Sequence, residues 1–360
     1  MNIFKDIFKS KNEPIQTYQQ FWDWFKKNER NFYIVVKVKG DIKHMFFDKL
    51  APKLNELKCG IYFLTGMCDR ETAELILTPD GVIKNIFFAE ELVKAAPKID
   101  GWKFTALKPA SDTSIEMAGF KFNTENISFY SNDHTDAPDQ IDLSIVHNDL
   151  TENNRAAITN GVFIFLDNYL GELNVVTLID RINIISKKDA KKELVPIARL
   201  EAFLKWREKE FLEKYEDAWN NTDNDNYAVL KAQLENGNVV IATINTALLN
   251  WESKASHPWI MNVEIKYDGS NNNGMPDNAT SELLIAIEDE MLDYLKCTDG
   301  YLNIGHQTAE NVREIYFACK DFRKPSDVLY QIKQKYKPQI NLDYNIYKDK
   351  YWQSFNRFKS

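Results

Sequence analysis

Residues 259–296 read WIMNVEIKYDGSNNNGMPDNATSELLIAIEDEMLDYLK, and they place a strand-like run, a turn-rich loop and a helix in direct succession. A helix is predicted for residues 281–296 because its apolar residues recur at spacings of three and four. These residues, which we expect to form its buried face, are Leu284, Ile287, Met291 and Leu295. The acids that we expect on its solvated face are Glu288, Asp289, Glu290 and Asp293.

The loop between the strand and the helix begins at Asp268 and contains three consecutive asparagines, a glycine and a proline. An EF-hand calcium loop that began at Asp268 would need glycine at its sixth position and glutamate at its twelfth. This chain has Asn273 and Ala279 at those positions. The loop is therefore predicted to be a turn that leads into the helix, with Asn278 or Thr280 as the helix cap.

The last hundred residues continue the alternation of strands and helices. An Asn-Gly pair at residues 236–237 separates two apolar runs and predicts a hairpin. Further strands are predicted at residues 300–308, 312–321 and 340–348, and a further helix at residues 326–336. From residue 259 the order is strand, helix, strand, strand, helix, strand. That order predicts a ferredoxin-like βαββαβ antiparallel sheet with both helices on one face.

The first half of the chain also predicts an α+β structure, with Thr17 as the cap of an aromatic-rich helix. Residues 160–179 are too continuously apolar for periodicity to decide between a helix and a buried strand. Pro196 opens a stretch that predicts one long helix, which a polar run at residues 220–226 follows. We expect the following divisions: a flexible or amphipathic N-terminus at 1–14, an α+β domain at 15–195, a connecting helix and linker at 196–226, and a C-terminal ferredoxin-like domain at 227–360.

Composition limits the classes of function. The chain has 45 Lys and Arg against 53 Asp and Glu, a net charge of -8, which disfavours binding to nucleic-acid backbones. No run approaches the roughly 18 apolar residues of a membrane span. The four cysteines lie far apart and form no CxxC, which favours free thiols in a reducing compartment. We expect a cytoplasmic protein that uses neither a metal nor a cofactor.

Four segments together resemble a known family: residues 259–277, 283–295, 305–321 and 347–355. The resemblance is to the bacterial domain-of-unknown-function family 695, and it covers roughly residues 250–358. The order of elements also resembles the fold of ribonuclease E activity regulator B, a small acidic protein that binds a nuclease. Family 695 has no established activity, so the resemblance implies an architecture and no catalytic residues. The first 210 residues resemble no family whose function is known.

The leading hypothesis is a non-enzymatic protein that acts by contact with a protein partner, as a regulator, an inhibitor or an immunity-type partner. It rests on the acidic helix and on the absence of a catalytic signature in the sequence. The surface predicted to bind the partner comprises Glu288, Asp289, Glu290, Asp293, Asn271, Asn272 and Asn273. The sequence leaves the identity of the partner and the oligomeric state open.

The rival hypothesis is a hydrolase, metal-assisted or not, in which His306 acts as a general base beside a carboxylate. Its candidate residues lie on or beside two predicted strands: His306, Arg313 and Glu314. No nucleophile motif accompanies them, and no second histidine stands at metal-ligand spacing. Acids and histidines also crowd residues 133–149, namely Asp133, His134, Asp136, Asp139, Asp142, His147 and Asp149. A hard metal would suit such carboxylates, whereas turn formation explains them equally.

Overall fold

The computed structural model describes residues 14–112, 114–220 and 222–359, so the predicted flexible or amphipathic N-terminus lies outside the described residues except for residue 14. The chain forms two compact units. Unit 1 comprises the residues up to Ser111 together with Asp167–Leu173, and unit 2 comprises Asp112–Leu166 together with the residues from Asn174 onward. Both helices and strands are present, which confirms a mixed α and β structure. Within the described ranges, no helix is long and apolar enough to cross a bilayer.

Unit 1 packs helices beside a small sheet. Its helices are α1 (Tyr18–Lys37), α2 (Asp48–Leu57) and α3 (Ile83–Lys94), and its strands are β1 (Tyr62–Met67), β2 (Ala73–Thr78) and β3 (Trp102–Ala106). Strand β2 is central, antiparallel to β1 and parallel to β3. The predicted cap of α1 is confirmed, because the Thr17 hydroxyl accepts the Gln20 N–H while the Gln20 side chain binds the Thr17 N–H.

The first part of unit 2 contains a second small sheet of order β8-β7-β6-β9. Its strands and those of a neighbouring hairpin are β4 (Ile115–Met117), β5 (Phe120–Phe122), β6 (Ile127–Asn132), β7 (Asp142–His147), β8 (Arg181–Ser186) and β9 (Val195–Pro196). The helices that follow β7 and β9 are α4 (Arg155–Leu170), α5 (Glu172–Leu178) and α6 (Leu200–Tyr215). The ambiguous residues 160–179 are therefore helical. Helix α6 is shorter than predicted because Pro196 lies in a strand.

The second part of unit 2 is a six-stranded antiparallel sheet of order β10-β11-β13-β14-β12-β15. Its elements are β10 (Tyr227–Gln233), β11 (Val239–Asn245), α7 (Thr246–Leu249), β12 (Trp259–Lys266), α8 (Asn278–Tyr294), β13 (Tyr301–Ala309), β14 (Val312–Cys319), α9 (Arg323–Tyr336) and β15 (Asn341–Lys348). The hairpin predicted at residues 236–237 joins β10 to β11, and the other predicted strands and helices of this region are also confirmed.

The predicted cap of α8 is wrong. Helix α8 begins at Asn278, and its cap is Asp277, whose carboxylate accepts the Thr280 N–H at 2.8 Å. A carboxylate at this position also interacts favourably with the positive end of the helix dipole. The hydrogen bonds to Thr280 hold the pKa of Asp277 below its usual value. The buried face of α8 is as predicted: Leu284, Ile287, Met291 and Leu295.

A β-bulge in β13 determines which side chains reach α8. The register between β13 and β14 shifts between Asn303 and Gly305, so one extra residue separates Asn303 from His306. Strand side chains normally alternate, and residues three apart would face opposite sides of the sheet. The extra residue places Asn303 and His306 on the same face, where both contact Glu288 of α8.

Gly305 is the residue that permits this bulge. Its φ of +127° is a conformation that other residues rarely adopt, and a Cβ there would collide with the Thr243 carbonyl. We expect Gly305→Ala to lower the free energy of unfolding by about 3 kcal/mol, from backbone strain and the lost β11–β13 pairing. Urea unfolding would measure this. Gly66→Ala is the matched control, because a Cβ at Gly66 meets nothing within 4 Å. Equal midpoints for the two variants would contradict the role of the bulge.

A buried histidine predicts acid sensitivity. His257 is 1% exposed, contacts the Ser256 hydroxyl at 2.8 Å, and has its pKa lowered to about 3, first by burial and then by the charge of Lys320. The unfolded chain takes up this proton near pH 6.5 and the folded chain does not, so stability should fall by about 1.4 kcal/mol per pH unit below 6. In urea titrations from pH 7 to pH 4, His257→Gln should flatten this slope. Ser256→Ala keeps the imidazole and should retain the slope.

Candidate functional site

The loop that follows β12 is held by its own side chains and by Asn311, whose side chain accepts the Gly269 N–H at 2.9 Å. The Asp268 carboxylate accepts the Ser270 hydroxyl at 2.6 Å and the Ser270 N–H at 3.1 Å, and these hydrogen bonds lower the pKa of Asp268. Asn273 and Gly274 take left-handed backbone conformations that close the turn. A cavity of about 700 Å³ lies beside the loop and is lined by Asn271 and Asn272, two of the predicted partner-binding residues. In the part of the chain that the structure describes, no three His, Cys, Asp or Glu side chains are grouped to hold a metal ion.

His306 pairs with a carboxylate that the sequence had placed on the exposed face of α8. Its Nδ1 lies 2.9 Å from Glu288 Oε2, and the Glu288 side chain is only 13% exposed. The amide of Asn303 also reaches Glu288, at 3.5 Å. The sequence missed this pair because Glu288 and His306 lie 18 residues apart on different elements. The β-bulge that brings them together cannot be predicted from a single sequence.

Arg313 approaches the same carboxylate. Its Nη1 lies 3.8 Å from Glu288 Oε2, and its Nε donates to the Thr308 hydroxyl at 2.6 Å. Burial lowers the pKa of Arg313, and the charge of Glu288 opposes that change. Glu288 therefore acts as the counter-charge of a half-buried guanidinium as well as the partner of His306.

Glu314 does not join this cluster. Adjacent residues of a strand face opposite sides, so Glu314 lies on the other face from Arg313. It accepts hydrogen bonds from Gln307 at 3.1 Å and from Asn262 at 3.4 Å. Of the three residues of the hydrolase hypothesis, two converge on Glu288 and one does not. Among the described contacts of His306, no serine or cysteine is present.

The four acids predicted to form one exposed face are divided. Asp289 and Asp293 are exposed. Glu290 instead accepts the Lys335 ammonium at 2.7 Å and the Tyr336 hydroxyl at 2.8 Å. Glu288 faces the sheet, as described above. The prediction of exposure is therefore wrong for Glu288 and Glu290, because these positions border the buried stripe of α8 and neighbouring elements carry cations opposite them.

The acids and histidines of residues 133–149 are also separated into individual contacts. Asp142 is buried beside His134, with Oδ2 to Nε2 at 2.9 Å. Asp133 pairs with Lys192 at 2.6 Å. His147 is fully buried and its Nε2 contacts the Lys121 carbonyl. These side chains stabilise β6, β7 and their connection.

One exposed apolar surface was not foreseen. Val229 pairs with Thr243, Thr243 with His306, and all three therefore share the face on which α8 lies. Exposed apolar side chains on this side of β10, β11 and α8 form what we call the β10 surface: Tyr227, Val229, Ile241, Ile285 and Leu292. The exposed fractions are large, at 71% for Val229 and 54% for Ile285. In the sequence, β10 and β11 are apolar runs joined by a turn, and such runs do not show which face of the hairpin is exposed.

The Glu288 cluster yields a stability prediction. Glu288→Gln leaves Arg313 half-buried without its counter-charge, and we expect a loss of about 2 kcal/mol in the free energy of unfolding. Asp289→Asn, one position along the helix and exposed, should change it by less than about 0.5 kcal/mol. Urea unfolding of both variants measures the difference. Equal losses would show that Glu288 does not hold α8 to the sheet.

Comparisons with known proteins agree with the C-terminal resemblance. No curated protein and no solved structure matches the chain. The matched segment begins just before β10 and extends past β15, so it contains the whole six-stranded sheet. It also contains Glu288, His306 and the β10 surface. Residues 225–359 match a family of unknown function, DUF695.

Proposed function

We propose that the protein is a non-enzymatic binding protein whose β10 surface takes up an extended, basic segment of a protein partner. The observation that carries the proposal is the exposed apolar side chains of β10, β11 and α8, gathered on one side of an open sheet edge. Contiguous exposed apolar surface marks interaction sites more often than it marks ordinary surface. A regulator or inhibitor that acts by contact would use such a surface.

The sheet edge supports an extended occupant. Strand β10 pairs with β11 on one side, and no strand in the described ranges pairs with its other side. An edge of this kind offers backbone N–H and C=O groups to an added strand, with side-chain pockets setting specificity. Along β10, Lys231 is the only charged residue. The edge therefore carries little of the charge that normally keeps other strands away.

Charge complementarity supports a basic occupant. Helix α8 contains five acids and no Lys or Arg. Asp289 follows Ile285 by one turn of α8, so an exposed acid borders the apolar side chains of the β10 surface. An incoming segment with apolar residues at alternate positions and Arg or Lys between them would satisfy both features. This assignment retains Asp289 and Asp293 as partner-binding residues and replaces Glu288 and Glu290 with apolar neighbours.

The finer description of the fold belongs to the same proposal. The order β13-β14-β12-β15, with α8 between β12 and β13 and α9 between β14 and β15, supports a ferredoxin-like core with β10 and β11 added at one side. We propose that residues 227–360 form this domain. The free thiols of all four cysteines support a reducing, cytoplasmic location.

A hydrolase remains the second candidate, and the contact of His306 with Glu288 favours it. A carboxylate beside a histidine is the arrangement that supports general base catalysis. Its test is a panel of ester and phosphoester substrates with and without divalent metal. Activity that His306→Gln abolishes, without a change in unfolding midpoint, would favour the enzyme over the binding protein.

The binding proposal is tested with a short peptide in which valine alternates with arginine. We expect it to bind the full chain and to protect the amides of β10 from hydrogen exchange. Val229→Lys should weaken binding at least about tenfold, because it places a cation against the peptide and removes apolar contact. The double variant Asp289→Lys with Asp293→Lys should weaken it by a similar factor. Isothermal titration calorimetry measures both.

Two controls make this test specific. The double variant Asp100→Lys with Asp112→Lys changes the net charge equally at exposed acids elsewhere and should bind normally. A peptide of alternating valine and glutamate should not bind. The proposal is wrong if both peptides bind equally or if neither protects β10. Protection of β10 that instead depends on protein concentration would assign the edge to a second copy of the chain.

A further inference from the structure

A small cavity in unit 2 is lined by an unusual number of cations. Its volume is about 250 Å³, and the basic residues around it are Arg207, Lys320, Lys348 and Lys350. Glu208 is the acid that lines it, and Phe211 and Trp259 contribute aromatic walls. The basic residues come from α6, from the end of β14 and from the end of β15, so distant segments of the chain converge here.

Two of these cations are buried and share one carboxylate. Lys348 and Lys350 have side chains that are 9% and 6% exposed, and each ammonium lies 2.8 Å from an oxygen of Asp180. Lys348 also donates to the Thr177 carbonyl at 2.6 Å, and Lys350 to the Asp139 carbonyl at 2.8 Å. An ammonium has three donors, so one N–H of each lysine has no acceptor among the described contacts.

The charges at the cavity do not balance. Lys348 and Lys350 are both buried and share one carboxylate, Asp180, which leaves an excess of one buried positive charge. Half-buried Arg207 and exposed Lys320 also line the cavity, where they donate to the Pro138 and Ala218 carbonyls. Buried charge without a counter-charge is costly. The rings offset part of this cost, since Lys350 lies 4.9 Å from the Phe211 centroid and Lys348 lies 6.0 Å from that of Trp259. A bound anion would supply the missing charge.

The titration of Lys348 agrees with this description. Burial lowers the pKa of Lys348 to about 8, and the neighbouring Lys350 adds to that effect against the opposing charge of Asp180. Burial raises the pKa of Asp180, but the two lysines together hold it below its usual value. Each oxygen of the Asp180 carboxylate therefore already contacts one lysine ammonium. A second negative group near Lys348 would raise its pKa again.

We propose that this cavity binds the phosphate group of a small phosphorylated molecule or phosphate itself. Phosphate has the oxygen acceptors that an arginine fork and several ammonium groups satisfy together. The volume lies just below the range of roughly 300–1,000 Å³ that holds drug-sized ligands, which restricts the ligand to a small one. This site is independent of the β10 surface, and either proposal stands if the other fails.

The test is calorimetric titration of the full chain with inorganic phosphate and with glycerol 3-phosphate at constant ionic strength. We expect one saturable site per chain. Arg207→Gln and Lys320→Gln should each weaken binding at least about tenfold, since each removes a charge-assisted hydrogen bond. Lys209→Gln, on an exposed position of the same helix α6, is the matched control and should bind normally. Tighter binding of the phosphomonoester than of phosphate would identify the organic ligand as the source.

A second variant covers the case in which the buried lysines serve structure alone. Lys348→Met removes the excess charge while Lys350 keeps Asp180 paired, so in phosphate-free buffer its unfolding midpoint should equal or exceed that of the native chain. Its phosphate binding should be lost. Absence of saturable binding by both phosphate and glycerol 3-phosphate would overturn the proposal. So would binding that Arg207→Gln, Lys320→Gln and Lys209→Gln leave equally strong.

Discussion

Glu288 is the contact on which the arrangement of helix and sheet in the C-terminal part depends. Its half-buried carboxylate meets His306, Asn303 and Arg313, which come from two adjacent strands. A charged group in such a position is tolerable only when its partners are fixed. The bulge at Gly305 fixes them, because it turns His306 to the face that Asn303 already occupies. The orientation of α8 on the sheet, and with it the position of Ile285 and Asp289, follows from that contact.

The same reasoning explains why net charge describes this protein poorly. The chain is acidic overall, at -8. Two exposed acids, Asp289 and Asp293, lie on the outer side of α8, whereas the buried ammonium groups of Lys348 and Lys350 lie around a cavity where acids are outnumbered. An average over the chain cancels these two regions. We propose that each region recognises its own kind of ligand, the first a cationic segment and the second an anion, because local field and burial decide recognition.

Local patterns predicted the elements well and the contacts between them poorly. The apolar stripe of α8 and the hairpin at residues 236–237 were legible because each is set by residues within a few positions of one another. Glu288 was expected to face solvent because it is an acid outside that stripe. Its partners, His306 and Arg313, lie on strands β13 and β14, which the pattern of α8 does not describe. Lys348 and Asp180 lie 168 residues apart, and the residues next to each of them in the sequence do not predict their ion pair. For residues 160–179, the continuous apolar sequence fits a helix or a strand equally, and only the packing in the structure distinguishes the two.

The two edges of the large sheet differ in whether the chain's own residues contact them, and this difference is the strongest physical argument for the proposed partner. At the end of β15, Lys348 contacts Thr177 and Asp180, so the chain's own middle segment approaches that edge. At β10, no described strand occupies the outer side, and Val229 is exposed there. Folded proteins protect such edges with charge, proline, bulges or cover, because an open apolar edge invites association. Strand β10 has one lysine and no proline, and no second strand of the described part of the chain pairs with it. An edge left open in this way supports the proposal of an occupant that pairs with it.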